Sequence, residues 1–168
     1  YYFSKLVKNP ELEQGKNTSA KVFQFSNYKN GDCLLDYKLE KSIATAVLEY
    51  KVYLKQTSTS YNAVLPTMFY EGKADGNSAS DQPTPLMLFV QQVGNTPVLT
   101  FSYGAPAYDK AADLNWDTWY HFRIEYDAKT HKANLYVDGQ QISLHATNAY
   151  NKDPYAGVEM KLDRIVAG

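Results

Sequence analysis

Two runs decide the fold: Trp119-Tyr120-His121-Phe122-Arg123-Ile124-Glu125-Tyr126-Asp127 and Ala133-Asn134-Leu135-Tyr136-Val137-Asp138-Gly139. In the first, polarity alternates with a period of two. Tyr120, Phe122, Ile124 and Tyr126 fall on one face, and Trp119, His121, Arg123 and Glu125 on the other. Successive side chains of a strand point to opposite faces, so this run is a strand with an apolar face toward a core and a polar face left open. The second run alternates in the same way. Setting Ile124 opposite Leu135 brings Phe122 to Val137 and Tyr126 to Ala133, all on the apolar face. The connection is then Ala128-Lys129-Thr130-His131, an acceptable hairpin loop. Asp138-Gly139 is a strong two-residue hairpin signal, which predicts a third strand with Ile142 opposite Leu135 and Leu144 opposite Ala133. A slip of one residue would move every apolar side chain to the wrong face. This register sets Arg123, Tyr136 and Gln141 in one row of the open face, and Glu125, Asn134 and Ser143 in the next.

The same rhythm runs through the rest of the chain. In Ala44–Leu54, Ala44, Ala46, Leu48, Tyr50, Val52 and Leu54 share one face, while Glu49, Lys51 and Tyr53 lie on the other. Further strands are expected at Lys21–Phe25, Cys33–Leu39, Val64–Tyr70, Leu86–Val93, Val98–Tyr103 and Val158–Ile165. Gly, Pro, Asn or Asp punctuates most of the gaps. The one segment that suggests a helical turn is Tyr108–Asp113. Many short strands with almost no helix predict an all-β, two-sheet antiparallel sandwich. At 168 residues the chain, 1–168, is expected to form a single domain.

Composition narrows the function classes. Tyr occurs 15 times and aromatic residues make up 14% of the chain, so many rings with polar tips are at hand. The net charge of −1 excludes a broad electrostatic attraction to nucleic acid or to an anionic membrane. No apolar run approaches the ~20 residues of a membrane-spanning helix. The single cysteine, Cys33, cannot form an intrachain disulfide and stands in the apolar run Cys33-Leu34-Leu35, as a small buried hydrophobe would.

The Trp, the alternating strand ending in Tyr126-Asp127, the short turn and the strand ending in Val137-Asp138-Gly139 resemble the late hairpin of the concanavalin A-like lectin/glucanase superfamily, laminin G-like domains most of all. The resemblance covers about a sixth of the chain. It implies a jelly roll made of two antiparallel sheets, and an extracytoplasmic setting, whether secreted, periplasmic or at the cell surface. Asn9-Pro10-Glu11-Leu12-Glu13-Gln14-Gly15 resembles the opening of some carbohydrate-binding modules, whose Glu helps hold a structural calcium. The resemblance therefore admits a calcium here, without assigning its ligands.

Such a fold hosts binding modules and enzymes alike, so function is read from the site. The candidate ligand-binding residues are Glu49, Lys51, Tyr53, Trp116, His121, Arg123, Glu125 and Tyr136. Most lie on polar strand faces, and Trp116 stands in the polar loop Asp113-Leu114-Asn115-Trp116-Asp117, where an exposed ring could stack on a sugar. Tyr103 is a further candidate to line the face, whereas Trp119 is expected in the core. The glucanase run Glu-x-Asp-x-x-Glu is absent, but Glu49 and Glu125 would face the same cleft if their strands are neighbours. Retaining hydrolysis would need their carboxyls ~5–5.5 Å apart. A lyase would need a base and a cation, which His121, Tyr136, Arg123 and Lys51 could supply, but the alginate-lyase motifs are missing. His121, His131 and His145 have no zincin-like spacing. Glu71–Pro85 is a 15-residue polar stretch that reads as a surface loop or a lid over the face. Asn17-Thr18-Ser19 is a glycosylation sequon. The expected function is polysaccharide or glycan binding without chemistry, as a module of a larger protein. A polysaccharide lyase or glycoside hydrolase using the same face is the first alternative, and an adhesion-type protein-binding domain the second.

Overall fold

The expected register is the observed one. In the computed structural model, which describes residues 3–9, 21–26, 35–56, 62–71, 84–103, 107–153 and 155–167, Ile124 lies opposite Leu135, Phe122 opposite Val137 and Tyr126 opposite Ala133. These residues belong to β10 (Thr118–Asp127) and β11 (Lys132–Val137), and β12 (Gln140–Ile142) continues the meander with Leu135 opposite Ile142. β12 ends at Ile142, so the expected pairing of Leu144 with Ala133 lies beyond the ladder. The fourth strand of this sheet is β4 (Thr45–Leu54), antiparallel to β10 along its whole length, from Thr118 opposite Leu54 to Asp127 opposite Thr45.

The opposing layer is built from two adjoining antiparallel sheets. One has the order β5 (Asn62–Val64), β7 (Met87–Val93), β8 (Thr96–Ser102), β9 (Asp109–Asp113). The other has the order β3 (Leu35–Ile43), β13 (Leu162–Ala167), β6 (Thr67–Tyr70). β1 (Phe3–Lys8) and β2 (Lys21–Ser26) pair separately. β3 runs into β4 through Ala44 alone, so one chain segment crosses from one layer to the other, as sandwich corners do. Among the described residues there are thirteen strands and no helix, and the fold is an all-β antiparallel jelly-roll sandwich.

The core lies between the layers. It takes Leu54, Phe122, Ile124, Tyr126 and Leu135 from the first sheet and Leu88, Val90, Leu99, Phe101, Tyr70 and Leu162 from the opposing layer. Phe122 stacks on Tyr50 with ring centroids 5.4 Å apart. A second apolar cluster, Phe69, Met87, Phe89 and Val166, is set apart from this core and interleaves with it along β6, β7 and β13, with Tyr108 packed edge-on to Phe89 at 4.6 Å. β7 is therefore buried on both faces, which is why Leu86–Val90 reads as a continuous apolar run rather than an alternating one.

Three local departures have physical causes. The helical turn expected at Tyr108–Asp113 is strand β9, drawn into β8 by the ladder, with Ala111 and Ala112 against the core. Val64–Tyr70 splits into β5 and β6 at Leu65-Pro66, since proline cannot donate to a ladder. The last strand begins at Leu162, not Val158. The segment before it is tied down from the hairpin tip, where His131 Nε2 donates to the Val158 carbonyl at 2.5 Å and Nδ1 meets the Asp153 carboxylate at 2.5 Å. Cys33 and the sequon Asn17-Thr18-Ser19 lie outside the described residues.

Asp109, buried at the start of β9, fastens the segment after β12. Its carboxylate accepts from Thr147 N at 3.0 Å, Asn148 N at 3.0 Å and Asn151 Nδ2 at 2.8 Å. Hydrogen bonds from the Thr147 and Asn151 side chains hold the carboxyl down to about 2. The folded value lies below the ordinary carboxylate value of ~3.9, so this contribution is complete above that pH and is lost as pH falls toward 2. Asp109→Asn, which replaces one accepting oxygen by an NH2 donor facing the donors of Thr147, Asn148 and Asn151, should lower the Tm at neutral pH. Thermal melts from about pH 5 down to about pH 2 should show the gap to the wild type narrowing; a gap constant with pH would place the carboxylate's role elsewhere. A second expectation concerns the turn between β11 and β12. Asp138 (φ 48°) and Gly139 (φ 80°) both have positive φ, the signature of a type I′ turn. A Cβ at Gly139 would meet nothing within 4 Å, so Gly139→Val is opposed by backbone strain alone. It should cost ~1–3 kcal/mol in denaturant unfolding with the fold retained.

Candidate functional site

The outward face of β4, β10, β11 and β12 gathers most of the polar side chains singled out in the sequence. The two ladders of β10 set Glu49 and Tyr136 on either side of Arg123, and Gln141 beyond Tyr136. In the neighbouring rows Lys51 lies opposite His121, and Glu125 opposite Asn134. The alternation that buries Phe122 and Ile124 is what turns these residues outward.

Arg123 is the hub of this face. Its Nε lies 3.0 Å from Glu49 Oε1, and its Nη1 donates to Glu125 Oε1. Its guanidinium carbon is 5.6 Å from the centroid of the Tyr136 ring, within the range of a cation–π contact. The second oxygen of Glu125 accepts from Asn134 Nδ2 at 3.4 Å and from the Tyr136 hydroxyl at 3.5 Å. Arg123 first, and then the Asn134 amide, holds the Glu125 carboxyl below the usual carboxylate range. Glu49 sits in the same guanidinium grip. A general acid at neutral pH needs a raised pKa, so Glu125 is set up to accept hydrogen bonds rather than to deliver a proton. Below Lys51, the backbone N–H of His121 donates to Asp138 Oδ1 at 2.8 Å, which locks the β11–β12 turn to this end of β10.

Two aromatic residues expected at the face, Trp116 and Tyr103, are placed differently, and Trp119 is covered. Trp116 does not join the face: it packs against the core at the sandwich edge, and its indole N–H donates to the Asn95 carbonyl at 2.8 Å. The polar letters around it hid an apolar contact made with the distant β7–β8 turn. Tyr103 packs edge-on to Phe101 at 5.3 Å and donates to the Leu144 carbonyl at 3.3 Å, away from the open face. Trp119 is buried, as expected, and alternation puts it on the same side of the sheet as Arg123. It is tilted against Tyr53 at 5.4 Å and its indole N–H donates to Asn9 Oδ1 at 3.2 Å, so the chain at Asn9 covers this end of the face. Tyr53 is thereby half-buried, its hydroxyl 3.4 Å from Asp117 Oδ1, and Asp117 also accepts from Lys55 Nζ at 2.9 Å. The part that stays open consists of Glu49, Lys51, His121, Arg123, Glu125 and Tyr136, joined by Asn134 and Gln141, whose positions follow from the hairpin register. Ser143 lies past the end of β12.

Among the described residues no three His, Cys, Asp or Glu side chains are grouped as a metal site would require. Residues 10–15 of the calcium-like segment and residues 72–83 of the long polar loop lie outside the described residues.

The chain matches no protein-family model and no curated protein sequence. Its fold is similar to that of the Emp46p carbohydrate recognition domain, with a TM-score of 0.55 and 10% identity over 80% of this chain and 69% of that one. It is similar to part of a sialidase, with a TM-score of 0.52 and 12% identity over 80% of this chain, and spans only 10% of that protein's length. An alginate lyase from Pseudomonas aeruginosa gives a TM-score of 0.50 and 10% identity, covering 79% of this chain and 58% of the lyase. At these identities the likeness is one of fold.

The two placements of aromatic rings have opposite consequences for stability. Trp116→Ala removes a ring that fills the sandwich edge and should cost ~1–3 kcal/mol, less than the ~3–5 of a fully buried ring. Tyr136→Ala removes a ring from an open face and should change the Tm little. Thermal melts of the two variants side by side check this assignment.

Proposed function

We propose that this chain is a carbohydrate-binding domain that acts outside the cytoplasm, as a non-catalytic module of a larger glycan-handling protein, and that it is a laminin G-like member of the concanavalin A-like jelly rolls. The observation that carries the reading is the row Glu49–Arg123–Tyr136–Gln141 with Glu125 beside it. A planar guanidinium lies over a tyrosine ring, flanked by two carboxylates and two amides, on a sheet whose other face is sealed into the core. Sugar hydroxyls need both donors and acceptors, and the C–H faces of pyranose rings need an apolar surface; this row offers all three. The fold it shares with the Emp46p carbohydrate recognition domain supports the same reading. Both acids on the face are engaged by one arginine, and Glu125 is held ionised, which supports binding over acid-catalysed cleavage.

A glycan array followed by electrophoresis through polysaccharide-containing gels tests it. The wild type should be retarded by at least one polymer without releasing reducing ends or an unsaturated product. Tyr136→Ala should weaken that retention by about tenfold, ~1.4 kcal/mol, with the Tm nearly unchanged. Product formation abolished by Glu125→Gln would make the domain an enzyme using this face. No interaction with any glycan would leave a protein-binding role, as in adhesion domains.

A further inference from the structure

Resting on the carbohydrate-binding reading above, we infer that the ligand of this face is an uncharged, hydroxyl-rich glycan and not one bearing uronate or sialate carboxylates. The first ground is the state of Arg123. An arginine recognises a carboxylate by presenting two parallel N–H bonds. Here Nη1 already donates to Glu125 and Nε stands in ion-pair contact with Glu49 at 3.0 Å, so the guanidinium charge is already matched by carboxylates of the protein itself. A glycan carboxylate would have to displace one of them, and would then stand beside a displaced like charge.

The second ground is the balance of charge. The open part of the face carries the two carboxylates Glu49 and Glu125 against the two cations Arg123 and Lys51, so the formal charges of these four groups cancel. Lys51 is exposed and has no carboxylate partner among the described residues. It is a hydrated point charge on a flexible stem, and an exposed ion pair of that kind contributes only ~0–1 kcal/mol. That is too little to select an acidic polymer against two fixed carboxylates.

The third ground is what the groups can still do. A carboxylate accepts hydrogen bonds at about four lone-pair sites, and those of Glu49 and Glu125 are only partly used. The guanidinium retains N–H groups beyond its two ion-pair contacts, and the amides of Asn134 and Gln141 stand in the adjoining rows. A hydroxyl both donates and accepts, so adjacent hydroxyls of a neutral sugar can bridge a carboxylate and an N–H of the same row. A uronate carboxylate only accepts, so Glu49 and Glu125 offer it nothing.

The test uses the whole chain against polymers differing in charge. Neutral mixed-linkage glucan, xylan, galactomannan and starch are compared with alginate, polygalacturonate and polysialic acid. Binding is measured at about 0.01 M and about 1 M salt, where the Debye length is ~30 and ~3 Å. The expected result is binding to one or more neutral polymers, changing less than about twofold with salt, because no net charge is neutralised. Glu125→Gln should weaken it about tenfold. The double variant Glu49→Gln/Glu125→Gln frees Arg123 and raises the formal charge of the face to two positive. It should lose the neutral ligand and acquire salt-sensitive retention by the acidic polymers. If the wild type prefers an acidic polymer, and 1 M salt or Arg123→Ala abolishes that binding, the inferred ligand class is wrong while the carbohydrate-binding reading stands. If no polymer of either kind is bound, the carbohydrate-binding reading itself fails, and this inference falls with it.

Discussion

Phe122 stacks on Tyr50, faces Val137 across the other ladder and is sealed from solvent, while Arg123, one residue on, lies between Glu49 and Tyr136. The pairing of β10 with β4 and β11 therefore does two things at once. It closes one wall of the core with Tyr120, Phe122, Ile124 and Tyr126, and it fixes which polar groups share a row on the other side. Because the period of a strand is two, these outcomes cannot be separated. A register that displayed a different row would expose the apolar one. The geometry of the candidate site is thus held by hydrophobic burial on the opposite side of the sheet rather than by the ion pairs visible on its surface.

What was legible in the sequence follows from how local each determinant is. The hairpin 118–142 has its turn chemistry written between its strands: a four-residue loop and Asp138-Gly139, with apolar positions that match in one register only. The Arg123–Tyr136–Gln141 row followed directly. The partner on the other side of β10 did not, because β4 lies more than sixty residues earlier and nothing local marks the pairing; only the structure sets Glu49 opposite Arg123. The contacts of Trp116 were hidden for the same reason in reverse. Its neighbours in sequence are polar, but its contacts are with the core and with Asn95 across the sandwich edge. Tyr108–Asp113 reads as a helical turn because six residues with two alanines have no strong period, and the ladder from β8 decides the matter.

The two faces of the sandwich are covered to different extents, which accounts for where an open surface is left. On the opposing layer Met87 and Phe89 point away from the main core and are buried in a second cluster with Phe69 and Val166. On the first sheet one end of the outer face is closed by Trp119, wedged against Tyr53 and tied to Asn9. From that closed end the face runs through His121 and Lys51 to Arg123 and Glu125, becoming charged as it becomes accessible. The open polar groups therefore border an end of the sheet that is covered by Trp119, Tyr53 and Asn9.

The ion pairs of Arg123 add little to folding, because both carboxylates and the guanidinium are accessible and exposed pairs are worth ~0–1 kcal/mol. Their effect is on freedom. An arginine on an open sheet would sample many rotamers, and ordering a rotamer-rich side chain on binding costs ~0.5–1.5 kcal/mol. Two carboxylates from different strands, one on β4 and one on β10 itself, hold the guanidinium over the Tyr136 ring before any ligand arrives. The same grip that organises the arginine removes it as a receptor for anions and keeps Glu125 ionised as an acceptor. Preorganisation and charge neutrality are thus two consequences of one arrangement. Together they favour a ligand that brings hydroxyl groups and ring faces over one that brings charge.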